Sequence, residues 1–453
     1  MSQNGLSRRS FLKNAGMTAV AGAVGAGTSL SSVAASTALG GPADGIFDFD
    51  TPYSRVGTGC VKWDQQIAKF GKDKVAVGMG IADMDFRAAP CITKALAERC
   101  QHENWGYLSM PPASYIDSIV LWNKRRYGLQ VDPDSIVLAA GVHPALIAAI
   151  QTFSPPGSRV LLTTPTYNGF YGDLRFAQVK PEDSPMKLVN GRYSIDFEDL
   201  ERRISHDTNT LILCNPQNPT GNCWSADDLM RLGEMCLRRR VVVLSDEIHC
   251  DFVTRGHKYT PFASLPNKDV VNNSLTFKAA SKTFSLAAMK SAWFFSTNPD
   301  YLARVKVNHR ADLNTLGIVA NRAALTEGEE WLDQVLPYIE GNHDFVEAYV
   351  REKIPLLKST KPQGTYLAWL DVSQVADRIG AKEKAAEASK TSATPVTPET
   401  IVEQWFVDNA KVHLNAGSSY GTGGQGHMRM NIATSRKVVE LALGNMASAL
   451  KKV

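Results

Sequence analysis

The chain has 453 residues, room for two or three domains at about 100–200 residues each. Hydrophobic residues make up 44% and charged residues 21%, which excludes global disorder, a collagen, a coiled coil and a disulfide mini-protein. The net charge of +4 is too small and too evenly spread to imply a nucleic-acid partner.

Residues 1–35 carry Arg8, Arg9 and Lys13 and no acidic side chain. The run Ser7-Arg8-Arg9-Ser10-Phe11-Leu12-Lys13 leads into a weakly apolar Ala/Gly stretch from Ala15 to Leu30. Val33-Ala34-Ala35 then offers small residues for cleavage. That three-part layout reads as a secretory signal. With its paired arginines it resembles twin-arginine signals, which implies export after folding through the twin-arginine machinery, to the periplasm or beyond. The glycines argue against a spanning helix, which needs about 20 strongly apolar residues.

Seven cysteines follow: Cys60, Cys91, Cys100, Cys214, Cys223, Cys236 and Cys250. No pair has C-x-x-C spacing, so neither a metal site nor a redox dithiol is indicated. Buried free thiols are the expectation. An oxidising compartment leaves one or two disulfides open.

From there the chain alternates strand and helix patterns. Apolar β-rich runs occur at Arg159–Thr164, Thr210–Cys214, Val241–Ser245 and Ser274–Phe277. Helical patterns separate them at Ala145–Phe153, Ser225–Arg238 and Asn314–Leu325. Continuous apolar strands between helices predict an α/β core with a mostly parallel sheet covered on both faces, over about residues 91–320. Glu329–Lys353 reads as a long amphipathic helix, Tyr366–Asp371 and Met428–Ile432 as strands, and Val438–Leu450 as the last helix. These predict a smaller α+β domain over 321–453, with 36–90 as an N-terminal arm and a further small-domain segment. Residues 381–399, rich in Ala, Lys, Glu, Ser and Thr, look like a solvated insertion or mobile flap. Gly421, Gly423 and Gly426 fit G-x-G-x-x-G, but a strand follows them instead of a helix, so a glycine-rich turn is the better reading.

Four segments share a chemical theme. Asn215-Pro216-Gln217-Asn218-Pro219-Thr220-Gly221 follows a buried strand, where ligands of open α/β sheets sit. Read alone it is either an ordinary turn or a place where an Asn donates to a ligand oxygen. Ser245-Asp246-Glu247-Ile248-His249 puts two acids and a histidine at a strand end, where burial is costly unless they are paired. A helix N-cap is the equal alternative. In Ala279-Ala280-Ser281-Lys282-Thr283-Phe284 a lysine stands among small and apolar residues, where desolvation frees a nucleophilic amine. A solvated lysine is the bland reading. Arg429, flanked by Met428 and Met430, suits capture of a carboxylate or a structural ion pair. Taken together, a lysine to form an imine, an acid for a pyridinium, an amide for a phenolic oxygen and an arginine for an α-carboxylate are the toolkit for pyridoxal 5′-phosphate.

With these segments stand Trp63-Asp64, Ala82-Asp83-Met84-Asp85-Phe86, Trp105-Gly106-Tyr107, Thr164-Pro165-Thr166-Tyr167 and Gly364-Thr365-Tyr366-Leu367-Ala368-Trp369-Leu370-Asp371. Over about residues 46–450 the sequence resembles the fold-type I pyridoxal-phosphate family of class I/II aminotransferases. It is most similar to its cystathionine β-lyase branch, the MalY/PatB-like C–S lyases. The resemblance implies a large domain with a mostly parallel seven-stranded sheet, a smaller α+β domain, and a homodimer with shared active sites. It implies that Lys282 bonds covalently to the cofactor and shuttles protons, and that Asp246 pairs with the pyridine nitrogen. Asn218 bonds the ring hydroxyl and Tyr167 stacks on the ring. Val142 and His143, at a helix start, and Ser281 hold the phosphate, and Tyr107 reaches the neighbouring subunit's phosphate. Arg429, beside Asn218, binds the substrate carboxylate.

Two positions depart from the aminotransferase pattern. His249 stands where many members carry a tyrosine, as in the lyase branch, and Lys290 where many carry a phosphate-binding arginine. The activity implied is β-elimination from cystathionine or a cysteine conjugate. An aminotransferase is the rival reading, and a non-catalytic regulatory binder a more distant one.

Overall fold

Alternate side chains on the central strands feed two different cores. The computed structural model describes residues 47–453, and the signal expected over 1–35 lies outside the described residues. The main sheet has seven strands: β1 (Ile136–Ala139), β2 (Arg159–Thr164), β3 (Lys180–Pro185), β4 (Thr208–Cys214), β5 (Val242–Asp246), β6 (Ser274–Lys278) and β7 (Ala292–Phe295). Their order is β1-β7-β6-β5-β4-β2-β3, and only β7 runs antiparallel to its neighbours.

Val160, Leu162, Ile212, Val242 and Leu244 pack on one face with helix α1 (Val142–Phe153). Leu161, Leu211, Leu213 and Val243 pack on the other with Leu229 and Leu232 of helix α2 (Ala226–Arg238). Both faces are therefore dry, which is why these strands read as unbroken apolar runs. Each such side chain stabilises the fold by roughly 1.5–3 kcal/mol through burial. Ser225 caps α2 in a reciprocal capping box with Asp228, whose backbone N–H donates to Ser225 Oγ at 3.0 Å.

A second, antiparallel sheet comprises β8 (Lys358–Ser359), β9 (Leu367–Asp371), β10 (Asn415–Ala416) and β11 (His427–Asn431), in the order β8-β9-β11-β10. Helix Glu329–Lys353 leads into it and helix Arg436–Leu450 ends the fold. Residues 421–426 form the turn before β11, and the φ angles of Gly421, Gly423 and Gly426 are all positive.

Of the solvated insertion or mobile flap expected over 381–399, the structure shows a largely exposed segment that begins as a regular helix and not as an irregular loop. Ala381–Ser389 is a helix that buries Ala381 and Ala385 against helix Pro398–Ala410. The buried Glu399 accepts from the backbone N–H of Gly426 at 2.8 Å. Small alanines at helical spacing bury a face without raising local hydrophobicity much, so composition alone misleads here. All seven cysteines beyond residue 35 are free thiols.

Candidate active site

Three parallel strands end in step. Cys214 at the end of β4 pairs in register with Asp246 at the end of β5, and Asp246 with Phe277 of β6. The loops leaving these ends therefore deliver Asn218, Asp246, His249, Ser281 and Lys282 to one place. They line a cavity of about 630 Å³, together with Val142, His143, Tyr167 and Lys290. A cavity outside the carboxyl ends of the strands is the expected ligand position for an open α/β sheet.

The β4 loop is built to hold Asn218 still. Gln217 Nε2 donates to the carbonyls of Thr163 at 3.0 Å and Pro165 at 2.9 Å, and Asn215 Nδ2 donates to Thr260 O at 3.0 Å. Asn218 Oδ1 accepts from Arg429 Nη1 at 3.0 Å, which leaves its amide N–H groups as the remaining donors.

In the β5 string the two acids part company. Glu247 faces away from the cavity, accepting from Phe262 N–H and Ser245 Oγ, each at 2.9 Å, and from Tyr259. Asp246 faces the cavity. Its carboxylate accepts one hydrogen bond, from Ile248 N–H at 3.1 Å, and no ion pair reaches it among the described residues. Burial pushes its pKa up to about 7, against the pull of Ile248 N–H, His143 and Lys282. His249 is buried, and burial with the charges of Lys282 and Arg429 drives its pKa well down, so it is neutral. Its Nδ1 has no partner.

Lys282 sits in the single helical turn Ala280–Thr283 after β6. It is half-buried, lines the cavity and donates to Ala82 O at 2.8 Å. Protein packed around the amine lowers its pKa to about 8, and Arg429 adds to the effect, while Asp83 and Asp246 oppose it. A lysine near this value is part-deprotonated at neutral to mildly alkaline pH, as a nucleophile or a base requires.

The N-terminus of α1 opens the same cavity. Gly141 has φ 151, a conformation that side-chain-bearing residues rarely adopt, and it leads straight into Val142 and His143. Free N–H groups at such a start bind anions. His143 Nδ1 meets Asp173 at 2.7 Å, and this hydrogen bond raises the His143 pKa. His143 Nε2 lies 3.3 Å from the hydroxyl of Tyr167, whose ring is half-buried in the cavity wall.

Arg429, on β11, is buried just behind Asn218. It donates to Asn218 and, through Nη2, to Gly80 O at 2.7 Å, while its Nε has no partner. Tyr107 is the one expected site residue set apart. It is fully exposed and lines a separate concavity with Trp105, Leu313 and Leu316.

These features fit pyridoxal 5′-phosphate. An uncompensated buried carboxylate suits a protonated ring nitrogen. A glycine-led helix start flanked by Ser281 and Lys290 suits a phosphate. The unpaired arginine N–H suits an added carboxylate. Sequence reasoning gave no role to Asp173, Tyr366, Asp83 or the Ala82 carbonyl, all of which touch or buttress these groups. The Ala82–Phe86 string was the only signal pointing to two of them.

The sheet order and the cavity at its strand ends define the fold-type I architecture of pyridoxal-phosphate-dependent transferases. The chain belongs to the aminotransferase class I and II family, whose model matches residues 74–445. It is similar to cystathionine β-lyase PatB of Bacillus subtilis, with 38% identity over 410 residues, 89% of this chain and 100% of that protein. Cystalysin from Treponema denticola, solved with a pyridoxal 5′-phosphate cofactor, has TM-score 0.81 and 28% identity, covering 90% of this chain and 99% of its own. A PLP-bound C–S lyase from Staphylococcus hominis has TM-score 0.77 and 26% identity, covering 89% and 98%.

Proposed function

We propose that the chain is a pyridoxal-phosphate-dependent C–S β-lyase. It cleaves cystathionine or a related cysteine S-conjugate to a thiol, pyruvate and ammonia. The observation that carries this reading is the convergence of Lys282, Asp246 and Asn218 on one cavity with Arg429 behind it, in a chain similar over most of its length to a cystathionine β-lyase.

When bound, pyridoxal phosphate withdraws electrons from the substrate's Cα. Asp246, as a carboxylate lining the cavity, would pair with the ring nitrogen and keep it protonated. Asn218 would donate to the ring hydroxyl oxygen, with His249 neutral nearby, and Tyr167 would pack against the ring. The N–H groups of Val142 and His143 and the Ser281 hydroxyl would hold the phosphate, with Lys290 beside them in the cavity lining. Arg429 holds the substrate α-carboxylate, and Asn218 fixes its angle. Lys282, whose amine lines the cavity, would take the proton from Cα. The electron pair of that C–H bond becomes the Cα=Cβ bond as the Cβ–S bond breaks, and the thiolate leaves with the sulfur pair. The released enamine hydrolyses to pyruvate and ammonia. Incubation with L-cystathionine tests this: pyruvate and free thiol in equal amounts support the lyase. Amino transfer to an added keto acid without pyruvate supports an aminotransferase instead.

Two further features belong to this proposal. The chain works as a homodimer in which Tyr107 reaches the partner's phosphate; exposed Trp105 and Tyr107 on one concavity support it. The chain is exported by the twin-arginine route to the periplasm; the sequence of residues 1–35 supports it. Changing Arg8 and Arg9 to lysine then retains the protein in the cytoplasm, and unchanged export contradicts the route.

A further inference from the structure

The Ala82–Phe86 string takes no part in the chemistry above, yet its backbone and that of the two residues before it are tied down by side chains. Five successive carbonyls, from Gly80 to Met84, each accept a hydrogen bond from a side chain. Gly80 O accepts from Arg429 at 2.7 Å, and Ile81 O from Asn431 Nδ2 at 2.6 Å. Ala82 O accepts from Lys282 Nζ at 2.8 Å and from the Tyr366 hydroxyl at 3.2 Å. Asp83 O accepts from Asn431 Nδ2 at 2.7 Å and Lys62 Nζ at 3.0 Å, and Met84 O from Arg55 Nη1 at 3.2 Å.

The Asp83 carboxylate is fixed as firmly. It pairs with Arg55 Nη2 at 2.7 Å and accepts from the Ser285 hydroxyl. Ser285 Oγ accepts in turn from Met84 N–H at 3.1 Å. Ser285 has φ 56, a left-handed conformation uncommon for serine, three residues after Lys282. The turn that carries Lys282 is thus tied to the segment that receives its amine.

We propose that the Ala82 carbonyl, shared with the Tyr366 hydroxyl, is the docking point of the Lys282 amine whenever that amine is not bonded to cofactor, and that Asp83 is its positioning carboxylate. This rests on the functional reading above. A carbonyl has two lone pairs, enough for both donors. An amine docked there is held at a fixed place during proton transfer instead of swinging on a four-carbon stem. Because Gly80, two residues earlier, binds Arg429, the same segment sets the spacing between the proton-transfer group and the carboxylate grip. The charged and titratable groups around the amine are Asp83, Asp246, Arg429, His249 and His143, with Tyr366 on the shared carbonyl. Asp83 and Asp246 favour its ammonium form and Arg429 opposes it.

Two measurements test the proposal. The first follows recapture of pyridoxal phosphate by the full-length chain stripped of it, by visible absorbance against pH; the amine must be unprotonated to react. Asp83→Asn is expected to move the acid limb of that profile to lower pH by about one unit, because an attracting carboxylate is lost. The second follows exchange of the α-proton of L-alanine with deuterated solvent by the holoenzyme, a reaction with no leaving group. Tyr366→Phe is expected to lower kcat for exchange about five-fold at unchanged KM. An Asp83→Asn profile superimposed on the wild type, or exchange by Tyr366→Phe at the wild-type rate, overturns the proposal. If Asp83→Asn does not fold, Tyr366→Phe alone decides. If the wild-type chain recaptures no cofactor, the functional reading fails and this proposal with it. Normal recapture with both variants behaving as wild type removes this proposal only.

Discussion

Arg429 donates through Nη1 to Asn218 Oδ1 at 3.0 Å, across 211 residues of sequence. One side chain is on a strand of the small sheet and the other on a loop of the large sheet, so the proposed carboxylate grip and the proposed cofactor-facing amide are held against each other by this contact. The neighbouring bond from Nη2 to Gly80 O fixes the guanidinium plane.

Arg429→Lys breaks this arrangement while keeping the charge. An ammonium cannot serve Asn218, Gly80 and a substrate carboxylate in one plane. KM for cystathionine is expected to rise about 10- to 100-fold, the worth of a charge-assisted hydrogen bond pair. Steady-state kinetics check this, and an unchanged KM places the carboxylate elsewhere.

Asp246 makes stability depend on pH and cofactor together. Its folded pKa without cofactor is raised to about 7 by burial, from an unfolded value near 4. Between these values the folded chain keeps a proton that the unfolded chain has released, so this group makes stability fall as pH rises from about 4 to 7, and flat beyond. A cationic ring nitrogen paired with Asp246, as proposed, would relieve the cost. Thermal melts of stripped and loaded protein should therefore diverge more at pH 8 than at pH 5. Asp246→Asn should remove that slope and lower kcat by at least about 100-fold. A slope that persists in the variant contradicts this origin.

Tyr107 tests the shared site. Lys282→Ala and Tyr107→Ala subunits, each inactive or weak alone, should regain activity when refolded together, because one of the two sites in a hybrid then has both residues intact. No gain on mixing removes Tyr107 from the partner's site.

The sequence was most readable where chemistry follows a buried strand. Lys282, Asp246 and Asn218 each come within a few residues of an apolar run, so their placement at strand ends followed from the strand pattern alone. Arg159–Thr164 and Glu329–Lys353 have the expected bounds, and each is closed by a proline one or two residues on, Pro165 and Pro355, which continues neither strand nor helix. Contacts between distant segments were not readable. Nothing near His143 announces Asp173, 30 residues away, and nothing near Lys282 announces the Ala82 carbonyl, 200 residues away. Lys278 shows how local pattern falls short. It too lies in a buried run, yet its ammonium is satisfied by Asn123 Oδ1 at 2.9 Å and the Tyr127 ring at 3.8 Å, and it lines no part of the cavity.

The most direct test of the account is chemical. Borohydride reduction of the purified protein, followed by proteolysis and mass mapping, should place a reduced pyridoxyl group on the peptide containing Lys282 and on no other. A label on Lys278 or another lysine, or no label at all, would contradict it.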